Sequence, residues 1–357
     1  MTTVALVLLL VAAAWSAPVL ARPTLPFGVR VPRERASDVA IRRVRRRYSH
    51  GVLSAGVLSG LALVVVPARV VLPVLAGALL LIGYHAHRSV AVAKRAGDWY
   101  AGLRQAVSAD SSLRTDPVRP PWLMLLPAVL IALATAVVGI RRYDALPPTL
   151  PTPNGLVVDA GVRSSTTVTF AFATVTAQLL VLVLVALLLL ALPRSRPELD
   201  AEQPATSAVR YREYLTRLCR LLVLSAACAN ASLLVASLQV WEIARPNLAV
   251  TFLSYLPLGV ALVAWALFAF RAGDAGNRLA GPAEESSGYV QRDDDSAWHL
   301  AGMVYLNRAD PAVLVHRRVG TYYTLNLGNP ISWLVLAAAA AVSVLAGTGV
   351  IELPRRG

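Results

Sequence analysis

The sequence predicts an all-α polytopic membrane protein with about eight transmembrane helices and a small cytoplasmic β-hairpin module near the C-terminus. Its 357 residues are 56% hydrophobic and 15% charged, whereas typical soluble proteins contain about 45–50% apolar and about 25% charged residues. The apolar residues form separate runs of about 20 residues, the length that crosses a hydrocarbon core of about 30 Å. The net charge is nevertheless +14, because arginines are concentrated between these runs. This arrangement is typical of the positive-inside rule, so we expect no nucleic-acid partner.

The first element is predicted to be a transmembrane helix over residues 1–21, with its N-terminus outside. No lysine or arginine precedes Arg22, whereas a secretory signal peptide would begin with a basic region. A cytoplasmic basic segment follows over residues 22–50. Its first ten residues are rich in Pro and Gly and are expected to be extended. Ser37 is then expected to cap a helix that begins near Asp38.

The helix in the basic segment combines an apolar stripe with a dense group of arginines. Ile41, Val44 and Tyr48 recur at helical spacing and form the stripe. The rest of the surface is covered by Arg42, Arg43, Arg45, Arg46 and Arg47. Each basic residue near an anionic inner leaflet adds about 1 kcal/mol of attraction. These five arginines are therefore candidate contacts to anionic lipid at the inner leaflet, and a simple stop-transfer anchor is the alternative.

Residues 51–140 are predicted to contain a transmembrane hairpin, a cytoplasmic loop and a fourth span. The apolar block 51–84 would be about 51 Å long as a single helix, which is longer than the bilayer is thick. Pro67 and Arg69 therefore mark a turn between two short arms. The cytoplasmic loop runs to residue 121, and the fourth span follows it.

The largest outside loop is the extracytoplasmic Pro-rich loop over residues 141–167. Its size and stiffness make it the best candidate for contact with an external ligand. The candidate interaction residues in it are Asp144, Asn154 and Asp159. A Pro-rich connector that binds nothing is the alternative interpretation.

Residues 168–270 are predicted to form three transmembrane helices. Polar side chains within these helices are expected to hydrogen-bond between neighbouring helices, at roughly 0.6 kcal/mol each. These side chains are Gln178, Ser225, Asn230, Ser232, Ser237 and Gln239.

The C-terminal part of the chain divides into three segments. Residues 271–297 are poor in apolar residues and are predicted to form a solvated acidic linker. Its acidic residues include Glu284, Glu285, Asp293, Asp294 and Asp295. Residues 298–330 surround a turn-rich stretch with aromatic and β-branched residues, which predicts a cytoplasmic β-rich module. Residues 331–357 supply the last transmembrane helix and a tail.

The distribution of charge predicts the orientation. With the N-terminus outside, the inner segments contain 27 of the 34 lysines and arginines, and the outer positions contain the other seven. The opposite topology would place 27 of them outside, against the positive-inside rule. Both the N-terminus and the C-terminus are therefore expected to lie outside.

No motif in the sequence indicates catalysis or metal binding. All 20 acidic residues fall in loops or at the ends of spans, whereas proton-coupled transporters place ionisable groups inside the bilayer. His85 and His87 would point about 200° apart on a helix, and Cys219 and Cys228 would lie about 13 Å apart along one. The phosphate-binding loop, the nucleophile elbow and the HExxH motif are all missing from the sequence. We therefore expect a non-enzymatic protein with no cofactor and no metal.

Three stretches carry a family resemblance. Residues 22–48 read RPTLPFGVRVPRERASDVAIRRVRRRY, residues 143–159 read YDALPPTLPTPNGLVVD, and residues 298–333 read WHLAGMVYLNRADPAVLVHRRVGTYYTLNLGNPISW. Together they resemble an uncharacterised family of bacterial multi-pass membrane proteins, whose members share an outer domain of unknown function with the sporulation-delaying-toxin immunity proteins. The resemblance implies eight spans, an outer position for the Pro-rich loop and a bacterial plasma membrane.

The resemblance also marks a set of positions as a candidate structural or interaction motif. They are Phe27, Gly28, Arg30, Pro32, Trp298, Gly302, Asn307, Asp310, Pro311, Arg318, Gly320 and Asn326. The outer loop departs from the family, whose members carry a His followed by an aromatic residue where this chain has Pro153 and Asn154. We therefore do not expect this chain to have a role that depends on that His.

Three classes of function remain open. The leading hypothesis is an immunity or envelope-signalling protein that meets a membrane-active peptide or a partner membrane protein. The alternative is a transporter or flippase for neutral or amphipathic molecules, and an intramembrane enzyme is a weaker third. Arg30 is expected to donate charge-assisted hydrogen bonds to carbonyls or a carboxylate at the inner surface. Asp310 is expected to accept backbone N–H bonds of a turn.

Overall fold

The computed structural model describes residues 2–108, 110, 112–283, 286–319 and 323–348. The chain divides into two compact units. Unit 1 comprises Met1–Thr115, Ser195–Tyr214 and Ala269–Leu334. Unit 2 comprises Asp116–Arg194, Leu215–Phe268 and Val335–Gly357. The predicted residues Gly320, Glu284 and Glu285 lie outside the described residues.

The fold is mostly helical. The helices are α1 (Thr2–Leu20), α2 (Val39–Ala62), α3 (Ala68–Ala96), α4 (Ser112–Thr115), α5 (Leu126–Arg142), α6 (Val168–Ala171), α7 (Ala173–Ala191), α8 (Pro204–Val240), α9 (Leu248–Ala272) and α10 (Pro330–Thr348). Within the described residues, six helical segments are long and apolar enough to cross a membrane. They are Thr3–Leu20, Ala68–Ala96, Trp122–Ala145, Ala173–Arg194, Pro204–Val240 and Leu248–Gly276. The mostly helical fold is therefore confirmed, and its six apolar helices of membrane-spanning length are compatible with a membrane protein, whereas eight spans are not confirmed.

Short strands complete the fold. They are β1 (Gln105–Ala106), β2 (Thr149–Asn154), β3 (Val157–Ser165), β4 (Val290–Gln291), β5 (Trp298–His299), β6 (Val304–Tyr305), β7 (Leu314–His316) and β8 (Tyr323–Leu325). Each sheet has two strands: β1 pairs with β4 in parallel, and the pairs β2–β3, β5–β6 and β7–β8 are antiparallel. The pairs β5–β6 and β7–β8 confirm the predicted small β-structure near the C-terminus.

Helix α2 differs from the sequence prediction at its start and in its length. The N-cap is Asp38, whose Oδ1 accepts the Ala40 N–H at 2.8 Å, and not Ser37. A carboxylate is an equally good cap at this position because it accepts the same free N–H. The helix then continues without a break to Ala62, so the basic segment and the first arm of the predicted hairpin form one helix.

Helices α2 and α3 form a helical hairpin after the basic segment. A short turn ends at Pro67, which is the N-cap of α3, so Arg69 already belongs to the helix. Helices α2 and α3 pack against each other through Tyr48, Val52 and Ala86, which are all buried. The apolar pattern therefore predicted the reversal correctly, and the turn lies slightly earlier than expected.

The Pro-rich segment 141–167 contains a β-hairpin that the sequence analysis did not predict. Strands β2 and β3 pair around a turn at Gly155, whose φ of +69° favours glycine. Leu150 and Val158 pack into a buried cluster with Trp241. Prolines lack the N–H that a strand uses for pairing, so their density concealed a strand that is stabilised by apolar packing on one face.

Five of the six predicted polar side chains join the helices of unit 2, whereas the hydroxyl of Ser232 is buried without a hydrogen-bond partner among the described residues. Gln178 Nε2 donates to Thr135 Oγ1 at 3.0 Å, and Asn230 Nδ2 donates to the Ala128 carbonyl at 2.9 Å. Further interhelical hydrogen bonds are Ser237–Thr174 at 2.6 Å, Gln239–Ser254 at 3.0 Å and Trp265–Ser225 at 2.9 Å. These bonds satisfy groups that would be costly to leave unpaired in a bilayer.

A substitution in α5 tests the tight packing of unit 2. A Cβ atom added at Gly139 would lie 2.7 Å from Trp241 Cζ2 and 2.9 Å from Phe172 Cε1. Gly139→Ala should lower the melting temperature of the detergent-solubilised protein, because overpacking costs about 1–3 kcal/mol. The control is Gly83→Ala, which has no atom within 4 Å of the added Cβ and should be neutral or stabilising. Equal melting temperatures for the two variants would contradict this packing.

Candidate functional site

The Phe27–Pro32 stretch places one arginine among carboxylates in unit 1. Phe27 and Gly28 have φ values of +51° and +78° and form a tight turn. Val29 and Val31 are buried in an apolar cluster on one side of the extended chain that follows. Arg30 lies between these two valines and is only 4% exposed. The alternation of an extended chain therefore directs Arg30 away from its apolar neighbours.

Arg30 contacts three carboxylates. Its Nε donates to Asp294 Oδ1 at 2.8 Å, and its backbone N–H donates to Asp295 Oδ1 at 3.1 Å. Its Nη2 also donates to Glu198. The expectation that Arg30 forms charge-assisted hydrogen bonds is therefore met. The two aspartates belong to the segment that was predicted to be a solvated linker, and for these residues that prediction is wrong.

Arg318 completes the centre of this group. Its guanidinium donates to Asp294 and Asp295, and to the Gly28 carbonyl at 3.1 Å. It lies over the Trp298 ring, with Cζ 5.1 Å from the ring centroid. Trp298 Nε1 in turn donates to Asp294 Oδ2 at 3.3 Å. Two arginines that are distant in sequence thus share one pair of aspartates.

Lys94 joins the group from the last turn of α3. Its Nζ lies 2.6 Å from Asp295 Oδ2 and 2.7 Å from Asp293 Oδ2. The parallel pair β1–β4 holds the chain that follows α3 beside the acidic segment. We name Arg30, Lys94, Glu198, Asp293–Asp295 and Arg318 the ion-pair network.

The charges in the network hold one another in their ionised forms. Burial alone would raise the pKa of Glu198, but Arg30 and Arg22 outweigh burial and hold it well below its usual range. Burial would likewise raise the pKa of Asp295, and Arg318 and Lys94 outweigh it and lower the pKa. These carboxylates therefore stay charged at neutral pH.

A second buried group lies around His316 in unit 1. His316 Nδ1 is 3.2 Å from Asp274 Oδ1, and Arg22 Nε is 3.1 Å from Asp274 Oδ2. The rings of Tyr214 and Tyr323 lie against the imidazole, at centroid distances of 6.0 and 4.9 Å. Burial lowers the pKa of His316 more than Asp274 raises it, so the imidazole is neutral at neutral pH.

The loop around Asp310 is built by dense hydrogen bonding. Asp310 Oδ1 accepts the Ala312 N–H at 3.0 Å, as expected for a turn, and its Oδ2 accepts the Tyr305 hydroxyl at 3.0 Å. Arg196 also donates to Asp310. Asn326 is fully buried and its Oδ1 accepts the Asn307 N–H at 3.0 Å. The polar residues of the 298–330 motif therefore hold one another in position through hydrogen bonds.

The structure brings most of the predicted motif together. Gly28 and Gly302 approach closely, since a Cβ on Gly302 would lie 3.4 Å from Gly28 Cα. Pro32 is buried and Phe27 packs on Tyr48, with ring centroids 5.0 Å apart. Pro311 follows Asp310, and its carbonyl accepts from Asn329 at 2.9 Å. The sequence analysis missed the partners of these residues, above all Glu198 and Lys94. Lys94 is the single lysine among 34 basic residues, the one signal that marks it in the sequence.

The predicted outer-loop residues lie in unit 2 around the β2–β3 hairpin. Asp144 lies in a 3-10 turn after α5, Asn154 ends β2, and Asp159 Oδ1 accepts the Gly161 N–H at 2.9 Å. A cavity of about 330 Å³ lies beside the hairpin. Its lining includes Pro151, Val158, Arg163, Gln239, Glu242 and Arg245.

The two units offer different chemistry. In unit 1 a cavity of about 150 Å³ is lined by both arginines and carboxylates, among them Arg22, Arg210 and Glu198. Within the described ranges, no group of three or more His, Cys, Asp or Glu residues is arranged to hold a metal ion. No family model, curated protein or solved structure matches this chain. The family resemblance therefore stays a prediction.

Removal of Arg30 tests the ion-pair network. Arg30→Ala leaves Glu198 and Asp294 with one cationic partner fewer, so the free energy of unfolding should fall by about 3 kcal/mol, as for a broken buried ion pair. The matched control is Arg33→Ala, because the Arg33 side chain is 46% exposed and pairs with Asp200 at the surface. Such exposed pairs contribute about 0–1 kcal/mol. Thermal unfolding in detergent measures both variants, and equal losses would refute the structural role of Arg30.

The buried His316 predicts a pH dependence. Its pKa is lowered in the folded protein, so the unfolded chain takes up a proton first as the pH falls through about 6.5. The free energy of unfolding should therefore decrease between pH 7.5 and 5.5, and His316→Gln should flatten this decrease. His50→Gln, at an exposed position of α2, should leave it in place. A decrease that persists in His316→Gln would show that other groups cause it.

Proposed function

We propose that the chain is a multi-pass protein of the bacterial plasma membrane that acts without catalysis, in immunity to a membrane-active peptide or in envelope signalling. One observation carries the proposal. The ion pairs of unit 1 join residues from all four segments that the charge distribution assigns to the inner face. The first segment supplies Arg22 and Arg30, the second Lys94, the third Arg196 and Glu198, and the fourth residues that include Asp274 and Arg318. Four separate inner segments thus behave as one folded module.

The same observation supports the predicted topology. Ion pairs require their partners to lie on one side of a membrane, so the chain must return to that side between consecutive segments. Two helices that could cross and recross the membrane lie between each two consecutive inner segments. These pairs are α2 with α3, α5 with α7, and α8 with α9. Helices α1 and α10 precede and follow the module. The proposal therefore keeps eight spans, with both termini outside, by adding α2 and α10 to the six candidate spans.

The chemistry of the network supports a structural role for its carboxylates rather than acid–base catalysis. A general acid or base works best with a pKa near the working pH. Arg30 and Lys94 instead help to hold Glu198 and Asp295 ionised, with pKa values below their usual range. These carboxylates are therefore suited to fixing a structure, which supports the non-enzymatic role that we propose.

In the proposed function, the β2–β3 hairpin forms the surface that contacts an external ligand. In the proposed topology it faces the outside with Asp144, Asn154 and Asp159, and the 330 Å³ cavity lies beside it. Arg245 lines this cavity, is exposed, and has no ion-pair partner in the part of the chain that the structure describes. An unpaired cation beside the buried apolar residues Leu150 and Val158 of the hairpin suits a membrane-active peptide with acidic and apolar groups.

Survival of challenged cells tests the proposal. Cells that carry the gene should survive at least one class of membrane-active peptide better than cells that lack it. Arg245→Ala should weaken this protection, whereas Arg142→Ala, at an exposed position of α5 that does not line the cavity, should not. Equal survival across a broad panel, together with an unchanged envelope-stress reporter, would contradict the proposal.

A further inference from the structure

The first half of α2 contains five arginines that the protein itself leaves unpaired. Within the described residues, no carboxylate lies within ion-pair distance of Arg42, Arg43, Arg45, Arg46 or Arg47. All of them are exposed except Arg45, which is half-buried and whose Nε has no hydrogen-bond partner. This contrasts with the ion-pair network, where every guanidinium faces carboxylates.

The arginines occupy the face of α2 that is turned away from the core. Ile41 and Val52 are fully buried, and Tyr48 is nearly so. At about 100° per residue, these three side chains share one narrow face, and the arginines spread over roughly 200° of the remaining circumference. The packing of α2 therefore turns the positive charge outwards, away from the buried apolar face of the helix.

Helix α3 extends this surface. Because Ile41 packs in a cluster with Val90, and Tyr48 with Ala86, the basic end of α2 lies beside residues 86–96 of α3. Arg88 and Arg95 are exposed on this part of α3 and have no ion-pair partner in the described chain. We name the exposed arginines of the two helices the basic collar. Its members are Arg42, Arg43, Arg46, Arg47, Arg88 and Arg95.

The basic collar lies where the apolar arms of the hairpin end. The apolar part of α2 begins at Gly51, so Arg47 is about 6 Å and Arg42 about 14 Å from it along the helix axis. The polar headgroup layer on each side of a bilayer is about 5–8 Å thick. In the topology of the proposed function, on which this step rests, Arg46 and Arg47 lie within that layer, and the backbone of Arg42 lies about 6 Å beyond it.

We propose that the basic collar binds the phosphate groups of anionic phospholipids in the inner leaflet. The guanidinium groups are planar and donate paired hydrogen bonds that match phosphate oxygens. The hairpin continues from the collar directly into the apolar segment, so a bound headgroup keeps its acyl chains beside α2 and α3. An acidic protein or a nucleic acid has no such continuity with the membrane.

A lipid titration tests the proposal on the full-length protein in a non-ionic detergent. Added phosphatidylglycerol should raise the melting temperature, and phosphatidylcholine at the same concentration should not. High salt should weaken the effect, because exposed charges are screened. Arg46→Gln/Arg47→Gln should weaken the apparent affinity for phosphatidylglycerol about thirty-fold, since each arginine contributes about 1 kcal/mol.

The matched control is Arg104→Gln/Arg308→Gln, which removes two exposed arginines outside the basic collar and should stay within about twofold of the natural protein. In phosphatidylcholine, all variants should have the same melting temperature as the natural protein. This comparison separates loss of binding from loss of folding. An equal response to both lipids would overturn the proposal. Inorganic phosphate or an oligonucleotide that gives the same variant-sensitive shift would overturn the lipid assignment. Peptide survival is scored separately, so this result and the proposed function can fail independently.

Discussion

The constraint on which unit 1 depends is that a buried charge needs an opposite partner. Arg30 and Arg318 are almost fully buried, and removing an ion from water costs several kcal/mol unless close contacts replace its hydration. Asp294 and Asp295 meet this requirement for both arginines at once. The turn at Phe27, the end of α3 and the loops around Trp298 must therefore converge on one acidic triplet. The close approach of Gly28 and Gly302 is a consequence of this convergence.

The positive charges of the protein fall into two groups with different roles. Those of the ion-pair network are buried, satisfied by carboxylates and fixed in position. Those of the basic collar are exposed and remain available to another molecule. The net charge of +14 is the excess of 34 basic over 20 acidic residues, and the arginines of the basic collar belong to that excess. The predicted membrane orientation and the proposed lipid-binding surface both result from this excess of positive charge.

The sequence analysis succeeded where local pattern determines structure. Apolar runs predicted the long helices, Pro67 predicted the reversal after α2, and polar residues such as Gln178 and Asn230 were correctly expected to join helices. It failed where contacts between residues that are distant in the sequence determine the structure. Asp294 was assigned to a solvated linker, because a run of acids in a polar segment is usually exposed. The β2–β3 hairpin was missed, because prolines obscure a strand whose stability comes from contact with Trp241.

The sequence by itself determined that this chain has apolar helices of membrane-spanning length, where these helices lie and which segments carry the positive charge. These properties depend on hydropathy and charge along the chain, which act through the surrounding solvent and do not require a partner residue. Only the tertiary structure decided which charges are neutralised. Arg30 and Arg46 look alike in sequence, but one is surrounded by carboxylates from segments more than 160 residues away and the other by none. Such pairing depends on distance in space, which a one-dimensional pattern does not contain.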